Sequence, residues 1–438
     1  MLLRFLNLGR RSETYPMNIW IVNHYADAPD RQSTRTYDLA RKLVEHGHRV
    51  TIFAAGFSHY NFKEERVPAN QNSVVEDSCG VRFVWLRTFP YQKNDWRRML
   101  NMASFCWRAF WARCRLRDKP DVISGVSVHP FAALTGWFLS VITGSRFFIE
   151  ITDLWPEVLI DFGMLSRRSP ITWMLRKLEK FLYRRAERIL MIWPRTEEYV
   201  QRLGISTEKV VWLPHVAELS RYAALEPYDG SIGNQFTLMY LGSFVSFMDM
   251  KNILHSAKVL QDEGRDEIQF VLVGGGTDKR ELEELALTLK LRNVRFTGLV
   301  PKSEIVKVMS SADAYIVSLR DVPLLRYGIS LNKACDYLAS GRPTVFAGNP
   351  GYDPIMEARA GISTKPNDPE ALAAGIKQLL ALSPEERVQM GRNGREYVAR
   401  VHGLDVVAAR LESVLLGSYQ REPGSSESGV VKAQATTA

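Results

Sequence analysis

Short apolar runs alternate with amphipathic segments along most of the chain. The runs that predict strands in the first half are residues 18–23, 49–55, 81–87, 121–125, 146–151, 188–193 and 210–214. Helical patterns lie between most of them, and residues 35–47 place Tyr37, Ala40, Leu43 and Val44 on one helical stripe. Strands that alternate with helices predict a parallel sheet with helices on both faces.

A second alternating series follows a segment rich in turn residues. Its predicted strands are 236–242, 268–276, 294–298, 314–318 and 343–348, and its predicted helices lie near 251–263, 278–290, 302–311, 333–340 and 369–381. Two further helical stretches, 384–401 and 404–417, close the fold. The pattern predicts an α/β protein of two doubly wound, Rossmann-like domains facing across a cleft.

The predicted domain boundaries lie where the alternation of strands and helices is interrupted. Residues 17–218 are assigned to an N-terminal domain and residues 235–400 to a C-terminal domain. The turn-rich segment 219–234 is a predicted linker. A closing helix takes residues 401–420, and residues 421–438, which are small and polar, are expected to be disordered.

Composition narrows the class of protein. The 438 residues are 46% hydrophobic and 24% charged, which excludes a largely disordered chain. The four cysteines are far apart and form no CxxC pair, which argues against a disulfide scaffold or a zinc ribbon and fits a reducing compartment. The longest near-apolar run, 131–144, is shorter than the about 20 residues of a membrane-spanning helix.

The excess positive charge lies in the first half of the chain. Residues 1–228 carry a formal charge of +10, and the remainder carries −1. This asymmetry favours an anionic partner for the N-terminal half: a membrane surface, a phosphorylated substrate or nucleic acid.

Two arginine-rich stretches, 97–119 and 167–188, concentrate this charge. In the first, helical spacing brings six small or apolar residues onto one arc: Leu100, Ala103, Trp107, Phe110, Trp111 and Cys114. The arc is either a core-facing stripe beside a solvated charged side or part of a patch that binds anionic lipid. We expect the arc to be buried, so that charge dominates. No nucleic-acid motif accompanies the arginines. The predicted membrane-facing residues are Arg97, Arg108, Arg115, Arg167 and Arg168.

Gly274, Gly275 and Gly276 stand between a predicted strand and a predicted helix. Glycines in this position let the backbone approach a ligand, and the N-terminus of a helix favours phosphate. The dinucleotide fingerprint is incomplete, because Lys279 stands where its third glycine belongs. A tight turn without a ligand is the alternative.

Residues 327–343 carry a second candidate site. Lys333, Asp336, Tyr337 and Ser340 fall on neighbouring turns of one short predicted helix. A carboxylate there can accept hydrogen bonds from the two hydroxyls of a ribose, and a lysine beside it can hold a diphosphate. The alternative is an ordinary capped surface helix.

The segment LNKACDYLASGRP at 331–343 resembles the nucleotide-binding signature of glycosyltransferase family 4. Further matches follow in the family's order at residues 23–53, 213–222, 240–244, 272–276 and 296–317. Residues 149–163, IEITDLWPEVLIDFG, resemble the corresponding segment of N-acetyl-L-fucosaminyltransferase-like enzymes. The resemblance covers about residues 17–417 and implies the GT-B fold.

The resemblance also implies a function and a set of site residues. It implies sugar transfer with retention of configuration, from a UDP-sugar to a lipid-linked saccharide, in bacterial-type surface polysaccharide or O-antigen synthesis. The implied donor-binding residues are Gly242, Lys251, Gly274, Gly275, Gly276, Ser330, Asn332, Lys333 and Asp336. An N-terminal loop holding Ser33, Thr34 and Arg35 is implied near the diphosphate.

Several positions depart from the family pattern. Gly328 stands where the first glutamate of the E-x7-E motif belongs, and Met248 stands where relatives carry a basic residue, with Lys251 three residues later. Thr152 occupies the position of the catalytic histidine of many relatives, so the resemblance implies the neighbouring Asp153 as the polar group at the reacting centre. His129 is a second catalytic candidate, and its alternative role is to cap a helix.

No D-x-D triplet occurs in the sequence, which fits transfer without a metal ion or other cofactor. We expect a cytoplasmic protein that is peripheral on the inner face of the membrane, with no nucleic-acid partner. Two other functions stay open: another GT-B enzyme such as a UDP-sugar 2-epimerase, and an inactive paralogue that binds nucleotide-sugar or acts as a scaffold.

Overall fold

The computed structural model describes residues 16–29, 34–59, 61–93, 95–225, 227–230, 233–301 and 304–420. The predicted tail at 421–438 lies outside these residues. The chain forms two compact units. The first takes in the described residues up to Trp155 together with Met174–Ile189, and the second takes in Pro156–Trp173 and the described residues from Leu190 onward.

The N-terminal half is built on an eight-stranded sheet. Its strands, and the small hairpin β3–β4, are β1 (Asn18–Val22), β2 (Arg49–Ala55), β3 (Phe57–Ser58), β4 (Lys63–Glu64), β5 (Ser73–Ser78), β6 (Val81–Leu86), β7 (Val122–Val126), β8 (Arg146–Ile151), β9 (Ile189–Met191) and β10 (Val210–Trp212). The strand order is β10-β9-β8-β7-β1-β2-β6-β5. Strands β8, β7, β1, β2 and β6 pair in parallel, and β5 is an antiparallel edge strand. The helices are α1 (Arg35–Glu45), α2 (Trp96–Ala112), α3 (Pro130–Thr143), α4 (Glu157–Asp161), α5 (Pro170–Arg185) and α6 (Glu197–Arg202).

The C-terminal half is built on a six-stranded parallel sheet. Its strands are β11 (Phe236–Leu241), β12 (Ile268–Val273), β13 (Val294–Gly298), β14 (Ala314–Ser318), β15 (Thr344–Ala347) and β16 (Gly361–Thr364), in the order β13-β12-β11-β14-β15-β16. The helices are α7 (Met250–Asp262), α8 (Lys279–Thr288), α9 (Ile305–Met309), α10 (Asn332–Ala339), α11 (Pro354–Glu357), α12 (Pro369–Ala381), α13 (Pro384–Val401) and α14 (Leu404–Leu416).

The strand order reverses once in each sheet. In the first sheet β1 lies between β2 and β7, and in the second β11 lies between β12 and β14. In open parallel sheets a ligand binds beyond the carboxyl ends of the strands at such a reversal, because the loops on its two sides diverge there. We therefore expect ligand-binding residues in the first positions after β1 and β11.

The predicted fold class of two Rossmann-like α/β domains is confirmed. The predicted strands appear at nearly the predicted residues, and the helices from 369 onward match closely. Four strands were missed: β3, β4, β5 and β16. Strands β3 and β4 have only two residues each. The edge strand β5 has the partly exposed sequence SVVEDS, and β16 is only four residues long, so neither forms an apolar run. No helix of the described residues is long and apolar enough to cross a membrane.

Helix α2 does not bury the predicted face, so the expectation of a buried arc was wrong. It packs through Asn101, Met102, Phe105, Ala109 and Ala112. Five of the six residues of the predicted arc are exposed instead, and the sixth, Phe110, is half-buried. The reason is that α2 is apolar on two faces, and one helix packed against a sheet buries only one of them.

The second arginine stretch also differs from the prediction. Helix α5 begins only at Pro170, so Arg167 and Arg168 precede the helix. Both belong to the second unit, whereas α2 belongs to the first. Arg167 forms an ion pair with Asp161 at 3.6 Å. The two arginines therefore do not share a helical face with those of α2.

Candidate functional site

In the second unit, the loops after β11 and β12 pack against each other. Gly274 has a φ of +144°, and a Cβ there would lie 1.9 Å from the carbonyl oxygen of Gly242. A Cβ on Gly276 would lie 2.2 Å from the carbonyl oxygen of Phe244, whose own N–H donates to Gly275 O at 2.7 Å. The neighbouring loop is thus sufficient reason for glycine at 274 and 276.

Lys333 places its ammonium group beside the glycine that ends β11. Its Nζ donates to the hydroxyl of Tyr240 at 2.5 Å and lies 4.3 Å from the centroid of that ring. A Cβ on Gly242 would be 2.6 Å from Nζ, so glycine leaves the space that the lysine occupies. Among the described residues, no carboxylate lies within ion-pair distance of this ammonium. Burial lowers the pKa of Lys333 to about 7, although Asp336 opposes the shift.

Asp336 lies one turn further along α10. Its Oδ1 accepts a hydrogen bond from the hydroxyl of Tyr222 at 2.5 Å. Burial, and then the charge of Asp336, raise the pKa of Tyr222, which therefore stays a neutral donor. Tyr337 fixes α10 to β11, because its hydroxyl accepts from Leu241 N–H at 2.7 Å and donates to Leu241 O at 2.8 Å.

The structure describes the surroundings of two departures from the family pattern, Met248 and Gly328, and of Lys251. Lys251 is exposed and pairs with the exposed Glu281 at 2.5 Å. Met248 is buried at 7% exposure, as expected for an apolar side chain. Gly328 has a φ of +98°, and a Cβ there would lie 2.9 Å from the ring of Pro194. A glutamate at 328 would therefore be strained and crowded.

The structure brings only part of the predicted donor set together. Gly242 and Lys333 are in contact, and Asp336 follows on the same helix. Ser330 is half-buried in the segment that leads into α10, and Asn332, the first residue of α10, is exposed. Lys251 lies on the separate helix α7.

In the first unit, two histidines are buried together beyond β1 and β7. His24 Nδ1 and His129 Nε2 lie 2.7 Å apart, and Ala132 N–H donates to His129 Nδ1 at 3.2 Å. Because His129 Nδ1 is an acceptor, the neutral ring carries its proton on Nε2 and donates it to His24. Burial lowers the pKa of His129 to about 3, and burial followed by the charge of His129 lowers the pKa of His24. The geometry supports the alternative role of His129, which is to cap α3.

Asp153 lies just beyond β8, in a turn closed by the hydrogen bond from Trp155 N–H to Asp153 O at 3.0 Å. Its carboxylate makes no hydrogen bond to any residue that the structure describes, His129 included. Burial raises the pKa of Asp153 to about 6, and the charge of Arg98 opposes the rise. Asp153 is therefore a carboxylate that titrates near neutral pH and has no hydrogen-bond partner in the described part of the chain.

Arg98 turns inward from the arginine-rich helix α2. Its Nε donates to the hydroxyl of Tyr25 at 3.4 Å, and its guanidinium lies 5.8 Å from the centroid of that ring. Its positive charge contributes to the lowered pKa values of His59 and His129, after burial. The sequence offers no signal for this orientation, because Arg98 stands among arginines that face solvent.

The predicted N-terminal loop is engaged within its own unit. Thr34 Oγ1 donates to Asp38 Oδ2 at 2.7 Å. Arg35 forms a buried ion pair with Glu150 on β8. Ser33 lies outside the described residues. These contacts anchor α1, and a role for Thr34 and Arg35 at the diphosphate stays a prediction.

Sequence reasoning missed three of the residues that shape these two places. They are Tyr240, Tyr222 and Arg98, which act through long-range contacts that the sequence pattern does not show. His24 was also missed, although it had a signal: it is the first residue after the predicted strand at 18–23.

Comparison with known proteins identifies the fold family. Residues 228–397 match the family model of "Glycosyl transferases group 1". Residues 32–215 match that of the "Glycosyl transferase 4-like domain". The chain is a GT-B glycosyltransferase. The two matches fall on the two halves of the chain, which carry the two sheets.

Known relatives of this glycosyltransferase agree with the family match. The putative colanic acid biosynthesis glycosyl transferase WcaI of Escherichia coli K12 is 23% identical over 83% of this chain and 91% of its own length. Sucrose-phosphate synthase from Thermosynechococcus elongatus has a TM-score of 0.72 at 18% identity, over 92% of this chain and 98% of its own. Anabaena Alr3699/HepE in complex with UDP-glucose has a TM-score of 0.63 at 14% identity, over 92% of this chain and 100% of its own.

Proposed function

We propose that the second unit binds the diphosphate and ribose of a UDP-sugar at Lys333 and Asp336. The observation that carries this proposal is the ammonium of Lys333, which is held against Tyr240 without a carboxylate partner among the described residues. A bound diphosphate would supply the missing negative charge. The structural relative crystallised with UDP-glucose supports uridine as the nucleoside of the donor.

Asp336 is the proposed ribose acceptor. Its Oδ1 already accepts one hydrogen bond from Tyr222, and this contact holds the carboxylate in a fixed orientation. A carboxylate has about four lone-pair sites, so ribose hydroxyls can bind to it as well. The remaining glycines of the loops then act mainly by shaping the backbone around the diphosphate.

Asp153 is the proposed polar group of the first unit at the reacting centre. A pKa of about 6 lets it exchange a proton with a sugar hydroxyl near neutral pH. Transfer with retention of configuration and without a metal ion is the proposed chemistry, by resemblance to the family. His129 is proposed to position its surroundings, because a buried neutral imidazole with a pKa of about 3 is a weak base.

The proposed acceptor is a lipid-linked saccharide in the synthesis of a bacterial surface polysaccharide. The relative with a colanic acid role supports this setting. A lipid-linked acceptor places the enzyme at a membrane, so we also propose that the protein acts as a peripheral protein on the cytoplasmic face. The O-antigen pathway and the N-acetyl-L-fucosaminyltransferase-like branch are finer predictions that share this chemistry.

The direct test is titration calorimetry of UDP with the wild type and with Asp336→Asn. Losing a charged acceptor of a ribose hydrogen bond costs about 1.5–3 kcal/mol, which corresponds to a loss of affinity of roughly 10- to 150-fold. Asp262→Asn removes an exposed carboxylate of α7 that pairs with Lys258 and lies outside the implied donor set, so it is the control and should retain the affinity. Equal affinity in the wild type and Asp336→Asn would remove Asp336 from the donor site. Release of UDP in the presence of donor and acceptor then distinguishes a transferase from an inactive binding protein.

A further inference from the structure

Helix α2 carries an exposed apolar stripe, which we define as Trp96, Leu100, Ala103, Trp107 and Trp111. The spacing of three and four residues keeps all five on one face. Trp107 is 65% exposed and Trp111 is 51% exposed, and their rings meet edge to face at 5.6 Å. The opposite face of α2 packs in the core, so this stripe has no internal packing role.

The neighbouring helix α3 shows a second apolar face. Its Phe138, Val141 and Ile142 are exposed, and no charged residue occurs within the helix. The two helices pack together, and Cys106 Sγ of α2 contacts Phe131 O of α3 at 3.4 Å. We call the α2 stripe together with these three residues the α2–α3 patch. Exposed apolar side chains on two helices that pack together indicate an interaction site.

The surroundings of the patch are cationic. No acidic residue occurs between Arg97 and Arg117. Arg108 donates to Asn72 Oδ1 at 2.8 Å, and Arg115 donates to Ser73 Oγ at 2.8 Å. Both acceptors are neutral, so these two guanidinium charges are not compensated by the residues they bind. Exposed tryptophans flanked by arginines are typical of the interface between lipid head groups and acyl chains.

We propose that the α2–α3 patch inserts shallowly into an anionic membrane, with Trp107 and Trp111 among the head groups and the arginines at the lipid phosphates. The proposal rests on the proposed membrane setting and names the surface and the mode of binding. Charge complementarity favours lipid over a second copy of the chain. A two-fold contact through the patch would bring the same arginine-rich edges of two subunits together.

The test is co-sedimentation with vesicles of phosphatidylcholine alone and of phosphatidylcholine mixed with phosphatidylglycerol. We expect the wild type to bind the anionic vesicles more tightly. Trp107→Ala/Trp111→Ala should weaken this binding at least about tenfold, at low and at high salt, because apolar insertion is not screened. Arg108→Gln/Arg115→Gln should weaken it mainly at low salt. Leu287→Ala removes an apolar side chain of the second unit that is more exposed than either tryptophan, and it is the control.

Three outcomes would overturn the proposal. The first is vesicle binding that survives the tryptophan double variant, and the second is no vesicle binding by the wild type. The third is a lipid-free dimer in sedimentation velocity that the double variant abolishes, which would make the patch a subunit interface. UDP titration of the same variants separates this proposal from the proposed function. Vesicle binding through the patch without UDP binding would contradict the donor assignment alone. UDP binding without vesicle binding would contradict the patch and the proposed membrane setting, and it would leave the donor assignment intact.

Discussion

Two lysines, Lys333 and Lys251, are candidates for binding the negatively charged diphosphate of the donor. Lys251 is exposed and already paired with Glu281, whereas Lys333 is half-buried beside Gly242 without a carboxylate partner in the described chain. Two groups act on Lys333: the neutral hydroxyl of Tyr240 on β11 accepts its hydrogen bond, and the carboxylate of Asp336 on α10 favours its protonated form. A diphosphate binds more strongly to a lysine that is not already paired with a carboxylate, which favours Lys333.

The uptake of a proton on UDP binding distinguishes Lys333 from Lys251 as the lysine that binds the diphosphate. With a pKa of about 7, Lys333 is mostly neutral at pH 8 in the free protein, and a bound diphosphate would return the proton. Calorimetry of UDP at pH 8, in buffers of different ionisation enthalpy, should therefore show uptake approaching one proton. Lys333→Met should abolish the uptake and weaken UDP binding about 10- to 100-fold. Lys251→Met should change neither. The reverse result for the two variants would assign the diphosphate to Lys251.

The buried carboxylate of Asp153 should lower the stability of the folded protein near neutral pH, although the proposed chemistry needs it. Its pKa is raised from 3.8 to about 6, so the folded state holds the proton more tightly than the unfolded chain does. Its contribution is therefore favourable at low pH and is lost as the pH rises from about 4 to above 6. A shift of this size corresponds to up to about 3 kcal/mol of destabilisation at pH 7.5.

Asp153→Asn should remove that destabilisation and the proposed chemistry together. We expect the free energy of unfolding to rise by up to about 3 kcal/mol at pH 7.5 and to change little at pH 4. Turnover should fall at least about 100-fold, and UDP affinity should be unchanged. Asp118→Asn, which removes a carboxylate paired with Arg82, is the control for stability and should give no gain. Near-normal turnover in Asp153→Asn would show that the segment after β8 is structural.

At the scale of elements, the sequence predicts buried strands well because they are apolar on both faces. Strand β1 is buried at every position, and the predicted run at 18–23 marks it directly. Edge strands are different: β5 is partly exposed and pairs on one side only, so its pattern resembles that of a loop. The hydrophobic pattern alone also does not identify the buried face of α2, because this helix has two apolar faces.

The same limit applies to the elements that form the candidate site. Residues 331–343 predict α10 and its lysine and aspartate, since these are local features of spacing. The hydroxyls that position them come from distant elements: Tyr240 from β11 and Tyr222 from a 3-10 turn at 219–222 in the predicted linker. Those contacts depend on tertiary packing, which a single sequence does not encode by spacing.

At the scale of the whole molecule, several buried basic groups make folding sensitive to mild acid. Burial lowers the pKa of His129 to about 3 and the pKa values of His59 and His402 to about 4, and His24 shifts in the same direction. Each group is neutral in the folded state and becomes protonated first in the unfolded chain. Its stability contribution is present above the unfolded pKa of about 6.5 and is lost as the pH falls towards the folded pKa.

Urea unfolding of the ligand-free protein should therefore show a loss of about 3 kcal/mol between pH 7.5 and pH 6, roughly 0.8 kcal/mol from each of the four histidines. Lys333 adds to this loss, and Asp153 opposes it only weakly above pH 6, so neither reverses the trend. His129→Asn isolates one contribution, because asparagine can still cap α3 but does not titrate. It should reduce the loss by about 0.8 kcal/mol. Stability that stays constant from pH 7.5 to pH 6 would mean that these histidines are accessible to protons in the folded protein.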